Sequence, residues 1–266
     1  MKYRAVISDL DGTLLNSNHQ VSEYTKKVIK KVLSRGVHFF IATGRHHVDV
    51  NHIRKQLGLD TVFITSNGCR VHNPNKETVL AYDLSEDIVK QLLAIEIDPN
   101  IHVNIYQDDQ WFVEKENKWI NQFHNDSGFF YEIVDFETLE KYTASKLFFI
   151  CDDHEKLVEL QHKIENIFPG RLNLSFSLPT CLEIMPHGIS KGFAIKKVLE
   201  KYRVHPKESV AFGDGLNDLE MLQIVGKGFI MGNAHDKLKA ALPNNPIIET
   251  NDEDAVANTL EKLFLE

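Results

Sequence analysis

The sequence predicts an α/β protein: a doubly wound, mostly parallel sheet with a second, α+β unit set into it. Three observations carry this. Short apolar runs stop abruptly in polar, glycine-containing turns at residues 9–13, 43–45, 66–68 and 213–218. Stretches of helical length separate consecutive runs, the pattern of parallel strands covered on both faces. Between about residues 84 and 185 that texture gives way to alternating, aromatic-rich strands, and then it returns.

Taken in order, Tyr3–Ile7 is aromatic and β-branched and reads as a first strand, followed by a tight turn at Gly12 and Thr13 that brings Leu14 and Leu15 back to the core. Ser22 caps a helix reaching about Arg35, with apolar positions at Tyr24, Val28, Val32 and Leu33 and a stop at Gly36. Val37–Ala42 is a second strand, about Val48–Leu57 a second helix ending at Gly58, and Val62–Thr65 a third strand. The inserted stretch holds the strand candidates HVNIYQ, WFVEKE, KLFFIC, LNLSFS and CLEIM, with one clear helix from about Asp153 to Phe168, stopped by Pro169-Gly170. From Ser190 the first texture resumes: SKGFAIKKVLEKY helix, SVAFGD strand, LNDLEMLQIV helix, KGFIMG strand, AHDKLKAAL helix, PIIET strand and a last helix over Glu253–Phe264. The expected organisation is a discontinuous core, residues 1–83 and 187–266, carrying an inserted cap, residues 84–186, whose length of roughly 100 residues suits a domain.

Composition narrows the partners. The chain has 266 residues, 42% hydrophobic and 26% charged, with a formal net charge of −8. No basic surplus exists to neutralise phosphates of nucleic acid or an anionic membrane. The cysteines, Cys69, Cys151 and Cys181, are scattered, odd in number and outside any zinc-binding spacing, so they read as reduced thiols. No signal peptide or bilayer-length apolar run is visible, which points to a cytoplasmic setting. No coiled-coil segment demands a partner, so a monomer is expected.

In open parallel sheets, ligands bind beyond the carboxyl ends of the strands. Those ends here carry Asp9 and Asp11, Thr43-Gly44, Ser66-Asn67-Gly68 and Gly213–Asp218, and Lys191 opens the helix after the insert. Taken singly, each has an ordinary explanation as a turn, a helix cap or a solvated lysine. Together they have a common chemistry. Asp9, Asp11 and Asp214 would repel one another without a cation, and an all-oxygen set favours a hard ion such as Mg²⁺. Mg²⁺, a lysine ammonium, a threonine hydroxyl and glycine-flanked N–H groups make a site for a phosphoryl group. Asp9 could attack phosphorus as a nucleophile, and Asp11 could protonate the leaving oxygen and later deprotonate water.

DLDGTLL (9–15), the Thr of IATGR (43), the Lys of ISKG (191) and GDGLND (213–218) resemble, in order, the four motifs of the haloacid dehalogenase superfamily. The chain is most similar there to Cof-type phosphatases, with SNG after the third strand and a large cap before the Lys motif. GRHHVDV, ITSNG and TCLEIMPHGISKG look like the bacterial pyridoxal-phosphate and sugar-phosphate phosphatases of that group. The resemblance spans essentially the whole chain. It implies that Asp9 is the nucleophile and Asp11 the general acid/base whose backbone carbonyl also reaches the metal. It further implies Asp214 as a metal ligand, Asp218 as a carboxylate supporting the metal site, and Thr43, Gly44, Lys191, Asn217 and the backbone N–H of Leu10 as phosphate contacts. None of these positions departs from the pattern. The implied activity is Mg²⁺-dependent hydrolysis of small phosphorylated metabolites through an aspartyl-phosphate, with pyridoxal 5′-phosphate the expected substrate and sugar phosphates the alternative.

Other readings fit less well. A phospho-accepting signalling module shares Asp, Thr and Lys around Mg²⁺, but its acceptor Asp follows a later strand in a much smaller domain. A mutase of the superfamily would place its cap between the first two motifs, where only one helix and one strand fit. Arg45, His46 and Glu183 are candidate substrate contacts, and His47 and His187 lie near the same junctions. Gln107–Gln110 reads as a hairpin turn. Tyr106, Trp111 and Phe112 offer an aromatic wall for a flat leaving group. Gly226-Lys227-Gly228 lacks a nucleotide-loop frame.

Overall fold

The structure is a computed structural model and describes residues 2–117 and 127–266. Its first sheet has seven strands. In chain order they are β1 (Ala5–Ser8), β2 (His38–Ala42), β3 (Phe63–Thr65), β4 (Arg70–His72), β5 (Thr78–Ala81), and, after the second sheet, β12 (Ser209–Gly213) and β13 (Lys227–Ile230). Their spatial order is β13-β12-β1-β2-β3-β4-β5. The first five are parallel, and β4 and β5 add an antiparallel edge. β1 is central and every residue in it is buried, as expected of a strand covered on both faces.

The helices follow from local signals. The Ser22 side chain accepts the Thr25 N–H and opens α1 (Glu23–Ser34), which buries Val28, Ile29 and Val32. Tyr24, expected on the apolar face, is instead on the surface, where its hydroxyl donates to Glu261. α2 (Asn51–Leu57) stops at Gly58, whose φ of 58° is left-handed. The Ser190 hydroxyl accepts the Phe193 N–H and opens α5 (Lys191–Lys201), which packs on α6 (Leu219–Ile224). α7 (Asp236–Ala241) and α8 (Ala255–Phe264) complete this part, α8 lying against α1.

The second sheet has the order β10-β11-β9-β6-β7-β8. It is built from β6 (His102–Gln107), β7 (Gln110–Val113), β8 (Glu132–Ile133), β9 (Lys146–Ile150), β10 (Leu172–Leu178) and β11 (Cys181–Pro186). Only the β7–β8 pair is parallel. α3 (Glu86–Leu93) and α4 (His154–Ile167) cover one face, over a core that includes Phe112, Leu147 and Phe149. Tyr106, Trp111, Phe129 and Phe148 pack on the opposite face, against Val48 of the first unit.

Three expectations are corrected here. The insert holds a further helix, α3, besides the one expected over about Asp153–Phe168. PIIET is not a strand: Ile247 makes a single bridge to Ile230. Tyr106, Trp111 and Phe112 do not form one wall, because alternation along β7 sends Trp111 and Phe112 to opposite faces, and all three are buried.

Candidate active site

The carboxyl ends of β12, β1, β2 and β3 lie side by side, so the loops after them converge. The chain leaves β1 into a tight loop over residues 10–14, with Leu10 fully buried and Gly12 at φ 70°. A Cβ on Gly12 would lie 2.3 Å from Asp214 Oδ2, so a glycine is needed for both conformation and space.

Asp9, Asp214 and Asp218 each bring a carboxylate oxygen within 4.8 Å of the others. Lys191, only 1% exposed, donates from Nζ to Asp9 Oδ1 and Asp218 Oδ1, both at 2.7 Å. Asp218 Oδ2 accepts the N–H groups of Asp214 and Gly215, each at 3.0 Å, and so braces the 213–218 loop. The Thr13 hydroxyl donates to Asp214 Oδ1 at 2.8 Å. Burial pushes the Asp9 carboxyl well above the usual range against the pull of Lys191, and the Asp218 and Asp214 charges add to the rise. Burial, then the Asp218 charge, pushes Asp214 up to about 7. Burial works to lower Lys191, but the Asp218 and Asp9 charges hold its ammonium well above the ordinary lysine range.

With three carboxylates and one ammonium ionised, this cluster carries a net charge of −2. Its donor set is all oxygen and its acids resist ionising alone, so its residues fit a hard divalent cation.

Asp11 faces elsewhere. Arg45 donates to it through Nε at 2.7 Å and a terminal nitrogen at 2.6 Å, a two-pronged clamp, and reaches Asp49 at 3.2 Å. Burial works to raise the Asp11 carboxyl, but the Arg45 guanidinium, helped by His19, holds it well below the usual carboxylate range. Its carboxylate is therefore outside the cluster of Asp9, Asp214 and Asp218.

After β2, Thr43 is buried and its hydroxyl accepts the Arg45 N–H at 3.1 Å. Asn67, in the left-handed region at φ 53°, donates from its backbone to the Thr43 carbonyl at 3.0 Å. Its amide nitrogen donates to Glu183 Oε2, and its amide oxygen accepts from Asn217 at 3.1 Å. Glu183 thus stands over the loop that carries Gly44. His46 is 1% exposed, its Nε2 lies 2.9 Å from the Asp108 carbonyl oxygen and its ring stacks on Phe129, so it joins the two units. His47 meets Asp109 at 2.8 Å, which ties the 107–110 turn to the same junction. His187 is exposed. Asn67 stands among the sequence candidates only as part of a strand-end turn, and Lys146, which donates to the Gly44 carbonyl and to Glu183, is not among them. The SNG motif was the signal for Asn67, and a lysine heading the apolar run KLFFI was the signal for Lys146.

The model of haloacid dehalogenase-like hydrolases matches residues 6–260. The chain belongs to this family. Within these hydrolases it is of the phosphatase kind. It is 37% identical over 257 residues (97% of this chain, 94% of the other) to a protein of Escherichia coli named HMP-PP phosphatase. A Haemophilus influenzae protein, 39% identical over 266 residues (99% of this chain, 98% of the other), bears a provisional phosphatase name without a substrate. Among solved structures, a haloacid dehalogenase-like hydrolase from Bacteroides thetaiotaomicron superposes with a TM-score of 0.84 at 26% identity, over 98% of this chain and all of that one. No helix among the described residues is long and apolar enough to cross a membrane.

Proposed function

We propose that the protein hydrolyses phosphomonoesters of small metabolites through an aspartyl-phosphate on Asp9, with Mg²⁺ held by Asp9, Asp214 and the backbone carbonyl of Asp11. The observation that carries this is the buried cluster of Asp9, Asp214 and Asp218 around Lys191, at the end of the central strand. An Asp9 carboxylate oxygen attacks phosphorus, the bond from phosphorus to the ester oxygen breaks, and Asp11 gives that oxygen its proton. Water then attacks phosphorus, Asp11 takes the water proton, and the bond from phosphorus to Asp9 breaks to release phosphate. When bound, Mg²⁺ supplies charge neutralisation for the phosphoryl oxygens. Lys191, Thr43, Gly44, Asn217 and the Leu10 N–H hold the phosphoryl group, and Asp218 keeps Lys191 and the 213–218 loop in place.

The arrangement also sets a condition. Asp11 clamped by Arg45 is a carboxylate, ready to take a proton from water. To donate one in the first step it must part from Arg45, so Arg45 governs which half of the reaction Asp11 serves.

Residues 84–186 act as the cap that selects the leaving group, with pyridoxal 5′-phosphate the preferred substrate, hexose phosphates slower ones, and the monomer as the working unit. The relative named for HMP-PP supports a small phosphorylated compound. With the aromatic wall gone, the pyridine preference rests on resemblance.

The test is phosphate release across a panel of phosphorylated metabolites, with Mg²⁺ and after EDTA. Turnover should vanish on chelation and return with Mg²⁺. Full activity in metal-free protein would sink the metal assignment. Pyridoxal 5′-phosphate ranking below simple sugar phosphates in kcat/KM would sink the substrate and leave the hydrolase.

A further inference from the structure

Lys146 opens β9 and is 3% exposed, an unusual place for an ammonium group. It donates to the backbone carbonyl of Gly44 at 2.7 Å and to Glu183 Oε1 at 2.6 Å, and it lies over the rings of Tyr106 and Phe148 at 4.9 and 4.7 Å. The first contact crosses from the second sheet to the loop after β2. The second leads further: Glu183 accepts from Asn67, and Asn67 accepts from Asn217. One buried ion pair therefore touches the loops after β2 and β3 directly and reaches the loop after β12 through Asn67, and these three loops flank the Asp9 cluster.

A buried pair of this kind has a geometric requirement. Each charge is tolerated only with its partner and with its remaining hydrogen bonds made. Two of those bonds, to Gly44 and Asn67, come from across the junction and exist only when the second sheet is seated on the first. Parting the two units would leave both groups short of partners, so the seated position is favoured, and seating draws Gly44 and Asn67 into place. A Cβ on Gly44 would lie 3.1 Å from Asn67 Oδ1 and 3.5 Å from Glu183 Oε1, which marks how closely these groups meet.

We propose that Lys146 is a positioning residue that, paired with Glu183, makes assembly of the phosphate-binding loops depend on seating of the cap. The proposal rests on the phosphatase reading above. It assigns Glu183 to this pair, and so to the loops, instead of to direct contact with the leaving group.

The test uses the full-length protein with Mg²⁺ and p-nitrophenyl phosphate, a substrate too small to need cap recognition. Wild type, Lys146→Met, Lys146→Arg, Glu183→Gln and the double variant Lys146→Met/Glu183→Gln are compared for kcat, KM, inhibition by inorganic phosphate, and Tm. Lys146→Met should lose about 100-fold in kcat, the scale of an ångström-sized misplacement of a site group. Its inhibition by phosphate should weaken in parallel, and Lys146→Arg should recover part of both. The double variant, free of a lone buried charge, should regain Tm without regaining kcat. If kcat returns together with Tm, the pair is merely structural and the proposal falls. It also falls if a folded Lys146→Met, or a folded double variant where the single one does not fold, stays within threefold of wild type. An inactive wild type would overturn the phosphatase reading itself, which separates the two failures.

Discussion

Asp9 and Asp11 are separated only by Leu10 and stand in opposite electrostatic settings. Asp9 is buried beside Lys191 and two other acids, and its ionisation is opposed. Asp11 is gripped by Arg45, and its ionisation is favoured. Asp9→Asn should therefore lower turnover by at least about 10³-fold, since it keeps the shape but removes the attacking charge. It should leave Tm unchanged or higher at neutral pH, because a disfavoured charge goes with it; substantial turnover in a clean preparation would reassign the nucleophile. Arg45→Met should raise the Asp11 pKa, and the limb of the pH profile of kcat/KM that reports Asp11 should move to higher pH. A limb that stays put would remove Asp11 from the acid/base role. The acids and Lys191 were legible because they sit at strand ends in short motifs. The partners that orient them were less so. Nothing local ties Lys146 to Gly44, 102 residues away in the chain, or Glu183 to Asn67, 116 residues away, and only the seating of one sheet on the other joins them.

Among elements, the loop over residues 10–14 is the most constrained, and Gly12 is its fulcrum. Gly12→Ala forces a Cβ into the left-handed region and to within 2.3 Å of Asp214 Oδ2, while Gly36→Ala, at φ 78°, meets nothing within 4 Å. Both should lose stability through backbone strain, on the order of 1–3 kcal/mol. Only Gly12→Ala should also lose activity and Mg²⁺ binding, because only there must Asp214 move. Equal kcat in the two variants, each measured on folded protein, would show that the close approach does not matter. The parallel strands and their helices could be read from apolar runs and caps such as Ser22 and Ser190, whose signals are local. The misreadings have local causes too. PIIET has a strand's composition but pairs only through Ile247, and α3 is a short amphipathic helix hidden between two differing textures. The β4–β5 edge was missed because β4 is only three residues long and β5 is half-exposed.

Across the whole molecule, two groups of buried titratable residues respond to pH with opposite signs. Asp9 and Asp214 have folded-state pKa values above the ordinary 3.8, so their contribution to stability is full below that value and is lost as pH rises through about 7 for Asp214. His46, His47 and His72, at the junction between the units, have values below the ordinary 6.5, burial being the first cause in each. Their contribution is full above 6.5 and is lost as pH falls, through about 4 for His72. A divalent cation competes with protons for Asp9 and Asp214, so its binding should separate the two groups. The rise in Tm produced by saturating Mg²⁺ should be largest near pH 8 and shrink toward pH 5.5, where protons already neutralise the cluster. An equal rise at both pH values would mean that the cation binds elsewhere. Both ring nitrogens of His72 are buried and without a hydrogen-bond partner among the described residues, and its ring stacks on His47 at 4.7 Å. His72→Phe keeps the stacking and removes a group that the unfolded chain protonates more readily. It should raise Tm, and by several degrees more at pH 5 than at pH 8, with Mg²⁺ present at both to hold the acids fixed. A gain independent of pH would trace the effect to packing alone and leave the acid response of the junction to His46 and His47.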